Sequence, residues 1–150
     1  MEETRGDLLI STDPARLDLD VVHGYLSGES YWARGVPRDR LERALAHSLC
    51  FGLYRQGQEA RQIGFARVVT DRATFAYLAD VFVLDAERAG GLGRWLIEAI
   101  HRHPDLQGLR RWLLCTRDAH EFYARLGWRR AGDPQIFMEM LRGSGAAEPP

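Results

Sequence analysis

At 150 residues the chain is long enough for one domain around a single sizeable core. A net charge of -1 and a pI near 6.5 exclude any general electrostatic attraction to nucleic acid or to an anionic membrane, and no apolar run approaches a membrane span. Cys50 and Cys115 both stand in strand-like apolar segments, which predicts buried, reduced thiols rather than a disulfide, and no zinc-ligand spacing occurs.

In chain order, residues 1 to 6 read as frayed, and Asp7–Ser11 as a short edge strand. The N-terminus lacks the basic start and long apolar region of a signal peptide, so the expected compartment is the cytoplasm. Val22, Tyr25 and Leu26 suggest a first helix over 17–26. The next segment places Tyr31, Trp32 and Arg34 among small residues. Two large aromatics there either clamp helices together or line a recognition pocket on a loop. Pro37 suits the first turn of a second helix reaching His47, with Leu41, Ala44 and Leu45 inward and Arg38, Arg40 and Arg43 outward. Residues 49–55 and 63–70 flank a turn and form a β-hairpin.

Residues 74–84 carry β-branched and aromatic side chains on both alternating faces, as a strand covered on both sides requires. Gly90, Gly91 and Gly93 follow, and Leu92, Trp95, Leu96, Ala99 and Ile100 then have the spacing of an amphipathic helix ended by Pro104. The first turn of a helix presents unpaired N–H groups and a partial positive charge, so a strand, a glycine turn and a helix start can cradle a phosphate, with Arg88 and Arg94 alongside. The same glycines would equally serve a tight βα turn. A P-loop is excluded because the chain has no lysine, and a dinucleotide fingerprint because Leu96 stands where its third glycine belongs.

Further on, residues 112–116 read as a strand. Asp118 with Glu121 reads as a capping box for a short helix stopped by Gly127. Residues 136–141 read as a last strand, and 143–150 as a disordered tail beyond a domain spanning 1–142. His23, His47, His101 and His103 are expected at the surface.

Two patterns then resemble the GNAT superfamily of acyl-CoA-dependent N-acetyltransferases. Arg88-Ala89-Gly90-Gly91-Leu92-Gly93 after Val81-Phe82-Val83 matches the family's pyrophosphate motif, Q/R-x-x-G-x-G/A. Thr116-Arg117-Asp118-Ala119-His120-Glu121-Phe122-Tyr123, then Gly127-Trp128, is similar to its N-x-x-A-x-x-F-Y and G-F pattern, with Thr116 for Asn and Trp128 for Phe. The resemblance runs from about Phe75 to Trp128. It implies an α/β GNAT fold, a mixed and mostly antiparallel sheet flanked by about four helices in three layers, in which the strand before the glycines and the strand at 112–116 splay apart around the cofactor.

The implied reaction is transfer of an acetyl group from acetyl-CoA to a primary amine by direct attack, without metal. The resemblance places the pyrophosphate on the backbone of Gly90, Gly91, Leu92, Gly93 and Arg94, near Arg88 and Ala89, and the pantetheine chain along Val81, Phe82 and Val83. Phe82 or Val83 would donate to the thioester oxygen, and Thr116 would make a further cofactor contact. Tyr123 stands at the family's general-acid position, Asp80 is a base, a counter-charge for the substrate ammonium or a structural partner of an arginine, and Tyr77 is a second base acting through water, with His120 a distant third. Tyr31 and Trp32 fall in a connection that borders the acceptor in this fold.

The expected partners are acetyl-CoA and a small amine, with no nucleic acid and no membrane; dimers are common in the superfamily, which leaves a homodimer open. Two other readings are an acyl-CoA sensor without turnover, and acetylation of a protein or tRNA amine.

Overall fold

A computed structural model describes residues 1–58, 60–88 and 90–140. Its sheet holds six strands in sequential order: β1 (Glu2–Arg5), β2 (Leu8–Ser11), β3 (Leu49–Arg55), β4 (Arg61–Thr70), β5 (Phe75–Val83) and β6 (Arg111–Leu113). Each pairs antiparallel with the next except β5 and β6, which run parallel. The helices are α1 (Leu19–Gly24), α2 (Arg38–Ala46), α3 (Leu92–Arg102) and α4 (His120–Ala124). These are the layers of the expected fold.

Two cores sandwich the sheet. On one face, Phe51, Leu53, Val68, Ala76, Leu78 and Val83 pack against Trp95, Leu96, Ala99 and Ile100 of α3, with Phe122 and Tyr123 of α4 beside them. On the other, Phe65, Phe82 and Cys50 pack against Val22, Tyr25, Leu26 and Leu41. Alternating apolar positions on the strands supply both faces, and the strong amphipathicity of α3 seats it on the first.

The strand β5 departs from regularity twice, first in its register. Phe65 pairs with Phe82 and Arg67 with Ala79, so Asp80 and Val81 together stand opposite Ala66 as a β-bulge. Asp80 takes φ 55°, a left-handed conformation that costs a non-glycine residue about 1–2 kcal/mol. The bulge reverses the alternation, so Ala76 and Leu78 but also Val81 and Val83 face the α3 core. Close approach is built in at Gly64, where a Cβ would lie 2.9 Å from the Phe82 carbonyl oxygen. The second departure is in pairing: β6 pairs β5 only from Phe75 to Tyr77, and beyond Tyr77 the β5 edge facing β6 is unpaired, which defines the β5–β6 gap.

Several expectations are corrected. Residues 2–5 are not frayed but form β1, because Trp95 Nε1 (2.6 Å) and Arg102 (2.7 Å) donate to Glu3 and hold the strand down. That places β2 inside the sheet. The first helix is shorter, and a π-helical turn at Tyr25–Glu29 extends it. Residues 114–116 leave the strand where the gap opens, so Cys115 is exposed while Cys50 is buried. Asp118 does not cap α4; Ala119 is at its N-cap, and the Ala119 N–H instead donates to Thr116 Oγ1 at 3.0 Å.

His103 is buried against Phe51, and its ring nitrogen accepts from the Asp105 N–H. His101 is half-buried beside Trp112 and Trp128, where desolvation lowers its pKa and Trp128 Nε1 donates to its Nε2 at 3.2 Å. Pro134–Ile136 is a 3-10 turn and residues 137–140 form no strand; Phe137 and Met138 are exposed, and Leu141 lies outside the described residues, as do 143–150.

Candidate active site

The gap between β5 and β6 gathers most of the residues singled out in the sequence. Its floor is the start of α3. Gly90 (φ 66°) and Gly91 (φ 74°) are both left-handed, and Gly91 occupies the N-cap with no side chain to satisfy the first turn. Trp95 N–H bonds the Gly91 carbonyl, which leaves the N–H groups of Leu92, Gly93 and Arg94 at the helix mouth without intrahelical acceptors. Gly93 sits against Phe122 of α4 and Val83 of β5 (a Cβ there would stand 3.6 and 4.0 Å from them), so the helix start faces the gap between those elements.

The two arginines beside the floor are engaged within the chain. Arg88 Nε donates to the Val83 carbonyl (3.1 Å), and its Nη2 donates to Tyr25 Oη (2.9 Å) and pairs with Asp85 (2.8 Å). Arg94 pairs with Glu98 one turn along α3 at 2.7 Å. Arg88 therefore ties the glycine loop to the β5 terminus and to the first-helix segment, while the backbone of α3 supplies the anion-seeking groups. Ala89 lies outside the described residues.

At the β5 bulge stands Asp80, beside Trp32 of the second core. Its Oδ2 accepts from Arg67 Nε at 2.7 Å and its Oδ1 from Trp32 Nε1 at 3.1 Å, with only about a tenth of the side chain exposed. Arg67 also donates to Ser48 Oγ at 3.2 Å. Asp80 thus sits at a bulge with both carboxylate oxygens engaged, and Trp32 fastens the loop before α2 onto it. Tyr31 meets Trp32 edge-on at 5.0 Å, and its hydroxyl accepts the Arg117 N–H at 3.0 Å, which joins that loop to the segment between β6 and α4.

Tyr77 and Tyr123 differ in what their hydroxyls do. Burial pushes the Tyr77 phenol up to about 12, and a hydrogen bond with Cys115 across the mouth of the gap adds to the shift. A phenol so raised stays protonated at neutral pH. Burial likewise raises Tyr123 to about 12, with Tyr31 adding, so it too holds its proton. No described residue hydrogen-bonds the Tyr123 hydroxyl. It rises from α4, braced by Phe122 and Trp128 edge-on at 5.0 and 6.0 Å. His120 is at the exposed start of α4.

Sequence reasoning missed Arg67, Ser48 and the Tyr77–Cys115 pair. One signal was present: Arg67 interrupts the apolar run Ile63–Val69, and an interior arginine requires a carboxylate nearby, which only Asp80 of the adjoining strand supplies. The cysteines give a direct check. Burial raises the Cys50 thiol to about 11, so iodoacetamide near pH 8 is expected to label exposed Cys115 at least ~10²-fold faster. Equal labelling by peptide mass analysis would contradict this placement.

Among the described residues no helix is long and apolar enough to cross a membrane, and no His, Cys, Asp and Glu cluster could hold a metal ion. The family model for the acetyltransferase (GNAT) domain matches residues 46–130. An acetyltransferase-named protein of Gibberella zeae is 38% identical, over 95% of this chain and 93% of its own. A GNAT-family structure from Xanthomonas campestris pv. campestris superposes with a TM-score of 0.85 at 47% identity, covering 90% of this chain and 93% of the other. A Mycobacterium tuberculosis protein solved with CoA and NLQ shares the fold at a TM-score of 0.66 and 17% identity, over 83% of this chain and 74% of that one. With its parallel strands parted beside a glycine-started helix, the chain belongs to the GNAT family of acetyltransferases.

Proposed function

We propose that the protein transfers the acetyl group of acetyl-CoA to the primary amine of a small molecule, by direct attack within the β5–β6 gap. The observation that carries this reading is the Tyr123 hydroxyl, protonated and without a described partner, beside a gap whose floor is the uncapped start of α3. The residues present fit the cofactor. Leu92, Gly93 and Arg94 offer backbone N–H groups for the pyrophosphate, Gly90 and Gly91 give it room, and the unpaired β5 edge from Val81 to Val83 offers amide groups to the pantetheine arm.

Bound acetyl-CoA supplies the acetyl group as an activated thioester. The chain's part is to position the reactants and to supply a proton to the leaving thiolate. Tyr31 and Trp32 close the acceptor side and hold the amine against the gap. When the C–S bond of a bound thioester breaks, Tyr123 would give its proton to the departing sulfur, while the proton lost by the attacking nitrogen would leave toward solvent along the polar side of Asp80 and Arg67. Asp80, held by Arg67 and Trp32, keeps the bulge and the loop in place. Thr116 accepts the Ala119 N–H at the start of α4, and its hydroxyl hydrogen is left to donate to the cofactor.

Thiol release with acetyl-CoA and a panel of amines tests the reading. Amine-dependent release is expected; binding of acetyl-CoA with no release on any amine would favour a sensor instead.

A further inference from the structure

We infer that the acceptor carries an anionic group, a carboxylate or phosphate, close to its amine, and that Arg117 is the residue that binds it. This rests on the transferase reading above and adds the substrate class to it. Arg117 stands in the segment between β6 and α4, against Tyr31. Its guanidinium carbon stands 3.9 Å from the centroid of the Tyr31 ring, and its own backbone N–H fixes the Tyr31 hydroxyl. A guanidinium over an aromatic face keeps its in-plane N–H fork turned outward, the geometry that accepts a carboxylate or phosphate in two parallel hydrogen bonds. Among the described residues no carboxylate lies within ion-pair distance of it, whereas the other arginine of this wall, Arg67, is committed to Asp80 and Ser48.

Charge along the wall points the same way. From Arg117 through Tyr31, Trp32 and Asp80 to Arg67 the side chains touch in sequence, and they hold two guanidinium groups against one carboxylate. A surplus positive charge disfavours a polycationic acceptor such as spermidine. It also favours the neutral, attacking form of the amine, because a nearby like charge destabilises an ammonium. An acceptor with one anionic group satisfies Arg117 and leaves its nitrogen free for the gap.

The test is steady-state kinetics by thiol release with paired acceptors: amino acids against their carboxamides and decarboxylated amines, phosphoethanolamine against ethanolamine, and spermidine. The anionic member of a pair is expected to win, the carboxylate and phosphate arms separating the two sources. Arg117→Gln should raise KM for that acceptor about tenfold or more, with kcat and the KM for acetyl-CoA little changed. Arg117→Lys should recover part of the loss, which a merely structural role would not predict. Equal or better turnover of the uncharged or polycationic members, or an unchanged acceptor KM in Arg117→Gln, would overturn the inference while leaving the transferase standing. No turnover of any amine would overturn both.

Discussion

Tyr123→Phe is expected to lower kcat by about 10²-fold or more while leaving the affinity for acetyl-CoA within about twofold. The substitution removes one oxygen and keeps the ring, whose edge-on contacts with Phe122 and Trp128 brace α4. No described hydrogen bond is lost with it, so folding should be little affected. What disappears is the proton held at a group raised to about 12, on a hydroxyl that, unlike those of Tyr77 and Tyr31, is not tied to any described residue. A thiolate leaving without that proton must take it from water. Calorimetry for binding and thiol release for turnover separate the two effects; equal kcat in both proteins would remove Tyr123 from the mechanism.

The largest stability effect is expected at Trp95, where Trp95→Ala should cost about 3–5 kcal/mol. Trp95 is among the largest fully buried side chains, at 1% exposure. It fills the α3 face of the core, donates its indole N–H to Glu3 at 2.6 Å, and carries the Arg5 guanidinium 4.6 Å above its ring. One residue therefore pins β1 and seats the helix whose first turn forms the floor of the gap. Truncation leaves a cavity and strands the Glu3 carboxylate with only Arg102. Denaturant unfolding measures the loss directly, and a cost below about 1 kcal/mol would mean that α3 is held by other contacts.

How much of this was legible in the sequence depended on whether the signal was local. The β3–β4 hairpin, β5, α2 and α3 follow from periodicity and from Pro37 and Pro104, because their apolar faces repeat within the element itself. The α3 turn was legible through glycines that do adopt positive φ. The bulge at Asp80 was not, since it is defined by the register of two strands and not by either alone. Neither was β1, which charged residues disguised until Glu3 met Trp95 and Arg102 across more than ninety residues of chain. Cys115 and Thr116 departed from expectation for a related reason: their apolar neighbours suit a strand, but β6 stops at Leu113, where its pairing with β5 ends. Trp32 does lie in the loop before α2, yet its attachment to Asp80 joins positions 48 apart and had no local trace.

Titration calorimetry of the intact protein with acetyl-CoA tests the central claim most directly. One molecule should bind per chain, and Gly91→Val, which forces a β-branched residue into a left-handed N-cap at the floor of the gap, should weaken that binding more than it lowers thermal stability. Absence of binding by folded wild-type protein would contradict the placement of acetyl-CoA in the β5–β6 gap, and with it every role proposed for the residues around it.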